Sequence, residues 1–460
     1  MRLQAESFPM SRRRKTRSNP RHVFWRRFLW IAFGILLGLG FVELVLLVWA
    51  DRKLALAVRD AGDARLRLAD FAKRPPAKKD NASTYLKAAS ALVDIRHEEI
   101  QRLRELGGSL VQVGRSPAEE DRAMLEAIVR RNQITYQILD AAMDCSEAWY
   151  HADESLSSPM SFHSPLFSDR QKLAYAIRAR ALAAAHAGRF DEAYDACRQG
   201  FRYSAWSIEE NPTLVSGLIG IALGSVGLDT LQALLELGDP AEEARKQLGK
   251  ELERLRRKDP LAVGLEGERA FHFEMYENAL GGNRANVLSA EVPLGGFALR
   301  YPLRFLVRAN QALALQRMTR LIEQSRVPTY QLDQNPPSAD ASDSIPFYGV
   351  MVRSTLPDQR QANLRRDRFY ATIDLGRLAL ALGEYRAGRG DYPDSLDVLV
   401  PEFLPVLRVD PLSGLPYRYR REAPGFVLYA LSVNGQDDGG TPSLGRLWKE
   451  TGDLVWKAGR

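Results

Sequence analysis

The chain has 460 residues, 45% hydrophobic and 26% charged, with two cysteines, Cys145 and Cys197. These values fit a globular protein of two or three domains at about 150 residues each, and they exclude wholesale disorder, a disulfide-dense secreted scaffold and a zinc ribbon. The net charge of +7 sits at the N-terminus, where residues 1–50 carry nine Arg or Lys against Glu6 and Glu43. The remainder is neutral, so no nucleic-acid partner is expected for the folded part.

Residues 1–27 form a basic tail. Residues 28–50, FLWIAFGILLGLGFVELVLLVWA, are an apolar run of 23 with one charge, Glu43. At about 1.5 Å per residue the run spans roughly 30 Å of hydrocarbon. Trp25, Trp30 and Trp49 lie near its ends, where indoles prefer the membrane interface. Eight basic residues crowd the stretch from Arg12 to Arg27. The positive-inside rule therefore predicts a cytoplasmic N-terminus, a single-pass transmembrane helix in the inner membrane, and a periplasmic bulk. A cleaved signal peptide is the alternative, but its apolar core is about 7–15 residues and ends in a small-x-small site. Here the run is longer, and bulky Trp49 precedes Ala50. Glu43 lies about 10 Å before Ala50 along a helix, close enough to reach toward the interface; the alternative is a partner inside the bilayer.

Residues 51–326 read as an exported α-helical domain, rich in Ala, Leu, Arg, Glu and Gln. Leu54, Val58, Ala61, Arg65 and Leu68 follow a helical period that ends at Pro75-Pro76. A helix is predicted from NASTYLKAASALVDI, and another over residues 119–145. In residues 179–205 two helical patterns meet at Gly188-Arg189-Phe190. Ala181, Gly188, Ala193 and Cys197 fall where a tetratricopeptide-type hairpin wants small residues, and no further repeat of that period is evident. Residues 214–235, LVSGLIGIALGSVGLDTLQALL, carry Gly217, Gly220, Gly224 and Gly227 at three- and four-residue spacing. The expectation is a buried helix whose glycine face touches another helix; a second membrane span is the alternative. Polar, proline-bearing residues 327–346 are predicted to be a linker.

Residues 347–460 read as a small α+β domain. Leu375, Leu378, Leu382 and Tyr385 share one face of a long helix over residues 367–386, which Gly388 and Gly390 end. Tyr417-Arg418-Tyr419 and Phe426-Val427-Leu428-Tyr429, divided by Pro-Gly, predict a β-hairpin or small antiparallel meander. The loop Ser432-Val433-Asn434-Gly435-Gln436-Asp437-Asp438-Gly439-Gly440 follows. Asn434, Asp437 and Asp438, with carbonyls near Leu431 and Ser432, offer the oxygens a calcium ion wants. A solvated turn is the plain alternative, because Asn-Gly and Asp-Gly form turns without metal.

The order of long helix, G-x-Y-P, short Leu-rich helix, D-P-x-x-G-x-P-Y-x-Y and L-Y-x-L-x-x-N-G resembles the globular domain of the major pseudopilin of type II secretion systems. It is carried by Gly390, Tyr392, Pro393, Leu396, Leu399, Asp410, Pro411, Gly414, Pro416, Tyr417, Tyr419, Tyr429, Leu431, Gly435 and Asp437, over about 75 residues. The resemblance implies calcium in the loop holding Asn434, Asp437 and Asp438. In a pseudopilin the membrane helix is fused directly to the long helix; here more than 300 residues separate the two. The overall layout resembles large membrane-anchored proteins of planctomycete-type bacteria.

No H-x-x-x-H, G-x-S-x-G or P-loop signature occurs among the six histidines and the serines and glycines. Glu268 and His272, one turn apart, are the nearest approach to an acid–base pair, and such pairs are more often simple contacts. Cys145 and Cys197 can pair only if their Cα atoms lie within about 7 Å. The expected function is a structural or protein-interaction role in the envelope, linked to secretion or transport, with the inner membrane and other envelope proteins as partners. The alternative is a periplasmic envelope hydrolase with its active site in the helical domain.

Overall fold

The computed structural model describes residues 20–71, 80–106, 119–148, 167–210, 212–281, 303–334, 345–353, 359–442 and 452–458. The tail up to residue 19, His151, His163 and residues 335–344 of the expected linker lie outside them. The described part is mostly helical, with a small C-terminal three-stranded antiparallel sheet.

Helix α1, Pro20–Asp60, is one unbroken rod of 41 residues. Its apolar first part is bare among the described residues: Leu29, Leu36, Leu39 and Phe41 are each more than 60% exposed. Burial begins abruptly at Ala50, and Ala57 is also enclosed. The change follows composition, because Leu54, Val58 and Ala61 supply a stripe that packs with Ala57 against Ala312 and Leu315. The stripe's predicted continuation is not helical: α1 ends at Asp60, and Leu68–Phe71 form a separate 3-10 turn.

Helices α2 (Ser83–Leu92), α3 (His97–Glu105), α4 (Glu119–Arg131) and α5 (Gln133–Met143) form one flank. The single helix expected over residues 119–145 is two, broken at Asn132. Its φ of −105° and ψ of 19° are not helical. The buried Asn132 amide donates to the carbonyls of Asp94 and Ile128 and accepts from the Asp94 amide, all within 2.9 Å. Those bonds tie the break to the loop before α3 and reward it over helix continuity.

Helices α6 (Phe167–His186), α7 (Phe190–Glu210) and α8 (Leu214–Leu237) make the central layer. Helices α6 and α7 form an antiparallel hairpin. Gly188 sits at φ 74°, and the Arg189 amide reaches back to the Ala184 carbonyl at 2.9 Å. This is a left-handed C-cap of the kind glycine favours. Ala181, Ala193 and Cys197 are buried in it.

Among the described residues, two helices are long and apolar enough to cross a membrane, by length and composition. None of the apolar window of α1 is buried, whereas 67% of that of α8 is. The glycine face of α8 explains the difference. A Cβ on Gly220 would lie 2.3 Å from Ile208, one on Gly224 2.7 Å from the Ser204 hydroxyl, and one on Gly227 2.9 Å from the Phe201 ring. Helix α7 therefore lies against α8 at a distance larger residues forbid, and the Ser204 hydroxyl donates to the Gly220 carbonyl at 2.8 Å.

Helix α9 (Glu242–Arg257) packs on α7. Helix α10 (Pro260–Gly281) packs on α8, and α11 (Arg304–Ser325) on α10 and α1. Short helices α12 (Thr329–Gln334) and α13 (Val350–Arg353) follow. Helix α14, Gln359–Arg389, extends beyond the predicted residues 367–386 at both ends. It stops where Gly390 adopts φ 87° and donates to the Arg386 carbonyl. The sheet has order β1 (Arg418–Glu422), β2 (Gly425–Ala430), β3 (Leu454–Ala458), antiparallel throughout, with Tyr419 opposite Leu428 and Leu428 opposite Trp456. Strand β3 is additional to the predicted hairpin.

One apolar cluster joins α6–α9, α14 and the sheet. Trp456 of β3 lies where Gly376 of α14 leaves room for it, and the Gln232 amide of α8 donates to the Val455 carbonyl at 3.2 Å.

Candidate functional site

Because β2 and β3 pair antiparallel, the loop leaving Ala430 and the residues entering Leu454 meet at one end of the sheet. Gly440 and Gly452 hold φ of 78° and 97° there. A Cβ at Gly452 would lie 2.8 Å from the Thr441 and Pro442 carbonyl oxygens, so the two segments approach closely only with glycine.

This convergence adds Asp453 to the expected residues. Asn434 Nδ2 donates to Asp438 Oδ2 at 3.1 Å, and Asp438 Oδ2 also accepts the Gly452 amide at 3.0 Å. Asp437 Oδ1 accepts the Tyr429 hydroxyl at 3.0 Å and the Gly439 amide at 3.1 Å, while its Oδ2 accepts Arg418 Nε at 3.3 Å. Asp453 is 1% exposed; its Oδ2 accepts the Gly440 amide at 2.9 Å, and its Oδ1 is buried with no hydrogen-bond partner among the described residues.

The electrostatics follow the geometry. Burial pushes the Asp453 carboxyl above the usual range, and the charges of Asp437 and Asp438 push the same way. The Gly439 amide first, with the Tyr429 hydroxyl and Arg418 assisting, holds Asp437 below it. Asn434 and Asp438 are therefore in contact, whereas Asp437 turns toward Tyr429 and Arg418. No group of three or more His, Cys, Asp or Glu side chains within reach of one ion occurs among the described residues. The sequence signal for Asp453 was Gly452-Asp453 ahead of the β-branched and aromatic run Leu454-Val455-Trp456.

The remaining motif residues are architectural. Asp410 closes its own turn: Oδ1 accepts the Leu412 amide at 3.0 Å and Oδ2 the Ser413 hydroxyl at 2.6 Å. Burial outweighs those bonds and pushes its carboxyl up to about 6. Tyr419 donates to the Pro393 carbonyl at 2.6 Å, and the Tyr392 ring meets Phe426 edge-on at 5.0 Å.

Glu268 accepts the Leu214 amide at 3.3 Å, at the start of α8. Burial pushes Glu268 up and His272 down, so both tend to the neutral form. Between α9 and α14 lies a groove of about 760 Å³, bordered by Lys250, Arg254, Arg377 and Glu402. In its wall Glu253 holds Arg377 and Arg408, and Asp374 pairs with the same two cations. Cys145 and Cys197 form no disulfide with each other and are buried, bonded through Sγ to the Ala141 and Gly227 carbonyls. Burial pushes both thiols up, away from the reactive thiolate.

No protein-family profile matches the chain. No curated protein and no solved structure matches it either.

Proposed function

We propose that the chain is a single-pass inner-membrane protein, N-terminus cytoplasmic, whose periplasmic body serves a structural or protein-interaction role linked to secretion or transport. The observation that carries this reading is the division of α1 into an apolar cylinder with no protein cover and a segment packed on α11. Ala50, where a signal peptidase would have to cut, is fully buried inside that helix. This burial supports retention of the helix as an anchor. The α6–α7 hairpin, taken as tetratricopeptide-like, and the pseudopilin-like order of α14 and the sheet both belong to folds used for protein–protein contact. A phosphatase reporter fused after Arg460 should be active outside the cytoplasm, and the protein should stay in membranes washed with alkaline carbonate. A silent reporter or a released protein removes the proposal.

For the loop, we propose that a calcium ion is taken up by Asn434, Asp437 and Asp438 with Asp453 next to them, which requires Asp437 to leave Tyr429 and Arg418 and the carboxylates to draw together. Its support is the orphaned Asp453 Oδ1 beside two further carboxylates, whose mutual repulsion a divalent cation relieves. Calcium should then raise the unfolding free energy by about 2.7 kcal/mol at roughly a hundred times its dissociation constant. The measurement needs the full chain in detergent, because α14 buries one side on α8 and α9. Chelator should lower the melting temperature, and Asp453→Asn should abolish that response. Identical melting curves with calcium and with chelator would leave the loop a plain turn.

A further inference from the structure

We infer that the body sits directly on the bilayer surface, with the turn around Phe347 seated in the headgroup–acyl boundary of the leaflet that α1 leaves. The inference rests on the anchor proposed above and adds a second, independent lipid contact.

Helix α11 fixes the level of this turn. Arg308 pairs with Asp51 at 3.6 Å, and further along both helices Ala312 and Leu315 meet Ala57, so α11 runs parallel to α1. The start of α11, with Leu303 36% exposed, therefore lies on the span side of Asp51. Asn310 of α11 donates to the Tyr348 carbonyl at 2.8 Å and holds the turn against this end. Tyr348 in turn meets Trp49 edge-on, ring centroids 5.5 Å apart, at the last turn of the apolar run. Lys53 lies one helical turn beyond, its ammonium 4.9 Å from the Trp49 ring centroid and 3.3 Å from the Tyr348 hydroxyl.

Phe347 is the outlier. It is 91% exposed, more than any other large apolar side chain among the described residues. Among the described residues its one ring contact is with its neighbour Tyr348, centroids 5.7 Å apart. A bare phenyl at the level of Trp49 fits neither a water-facing loop nor a packed core. It fits the interfacial belt, where aromatic rings lie at headgroup depth and a lysine one turn outward meets the phosphates. The occupant is a phospholipid leaflet, because this surface is continuous with the lipid-exposed face of α1.

The test uses the full chain with Cys145→Ala and Cys197→Ala, and one environment-sensitive label at F347C, L37C or V406C. Each is reconstituted into phosphatidylcholine–phosphatidylglycerol vesicles with nitroxide-labelled lipids. Leu37 is 59% exposed at mid-span, and Val406 is 52% exposed in the segment before β1. The label at 347 should shift to the blue and lose roughly half its emission to a nitroxide at headgroup–acyl depth, where aromatic belts reside. The label at 37 should respond to a deep nitroxide, and the label at 406 to none. A solvent-like label at 347 with a quenched label at 37 overturns this inference and leaves the anchor standing. A blue-shifted but unquenched label at 347 means protein covers it, which also overturns the inference. An unquenched label at 37 overturns the anchor itself.

Discussion

Gly267→Ala should destabilise the body more than any surface change, although it adds one methyl group. An ideal Cβ there falls 1.5 Å from the Pro212 carbonyl oxygen and 2.5 Å from its carbon. Both are backbone atoms in the turn that starts α8, so no rotamer change relieves the clash. Neighbouring Gly264 meets the Leu214 backbone at 2.8 Å, so α10 cannot slide toward its own start either. The helices must separate, and with them the packing of α8 on α10. Overpacking costs about 1–3 kcal/mol where side chains can yield, and more where they cannot. Gly249→Ala on α9 is the counterpart: a Cβ there meets nothing within 4 Å. It should stabilise by up to about 1 kcal/mol through helix propensity. Thermal melts of the two variants should thus move in opposite directions. Equal melting of Gly267→Ala and the wild type would disprove the close α8–α10 contact.

Asp374→Asn should be the most costly single charge removal. Asp374 is 3% exposed and lies on α14 at the junction of three elements. Its carboxylate accepts Arg256 of α9 at 3.1 Å, Arg408 of the segment before β1 at 3.0 Å, and the Tyr417 hydroxyl at 3.3 Å. Glu253 takes Arg408 through both oxygens, at 2.9 and 3.0 Å, and Arg377 at 3.0 Å. Glu253 also takes the exposed Arg257 at 2.9 Å, so two carboxylates face four guanidinium groups. Losing one leaves largely buried cations facing one another, for which about 3–5 kcal/mol is the usual cost. Glu253→Gln, at a more exposed site, should cost less. Combining Asp374→Asn with Arg408→Met should cost less than the two single changes added, by about 0.5–3 kcal/mol. Strict additivity in denaturant melts would show that the network does not act as a unit.

The elements legible in the sequence are those whose signal is local. The apolar run of α1, the glycine spacing of α8, the hairpin turn at Gly188 and the Leu375–Tyr385 face of α14 all declare themselves within a few residues. What was illegible depends on partners remote in sequence. Asn132 interrupts a helical pattern because Asp94 offers its amide and carbonyl a match. Strand β3 needs β2 beside it, and Asp453 joins the loop only through that pairing. The three acidic and amide residues chosen for the loop were partly brought together: Asn434 meets Asp438, but Arg418 and Tyr429 draw Asp437 aside. Composition alone cannot show which way a carboxylate turns.

The unbroken course of α1 has a geometric consequence. A rod of 41 residues, about 60 Å long, carries the body on its final turns with no swivel between them. If the proposed anchor fixes its upper part in a bilayer, the body keeps its tilt and can only spin about the membrane normal. Molecules diffusing in the same plane and held the same way meet it already aligned about two of three axes. Much of the rotational freedom lost when free proteins associate is then lost beforehand. A contact well below the roughly 1,200–2,000 Å² of stable soluble complexes suffices for lateral assembly on such a sheet of upright neighbours.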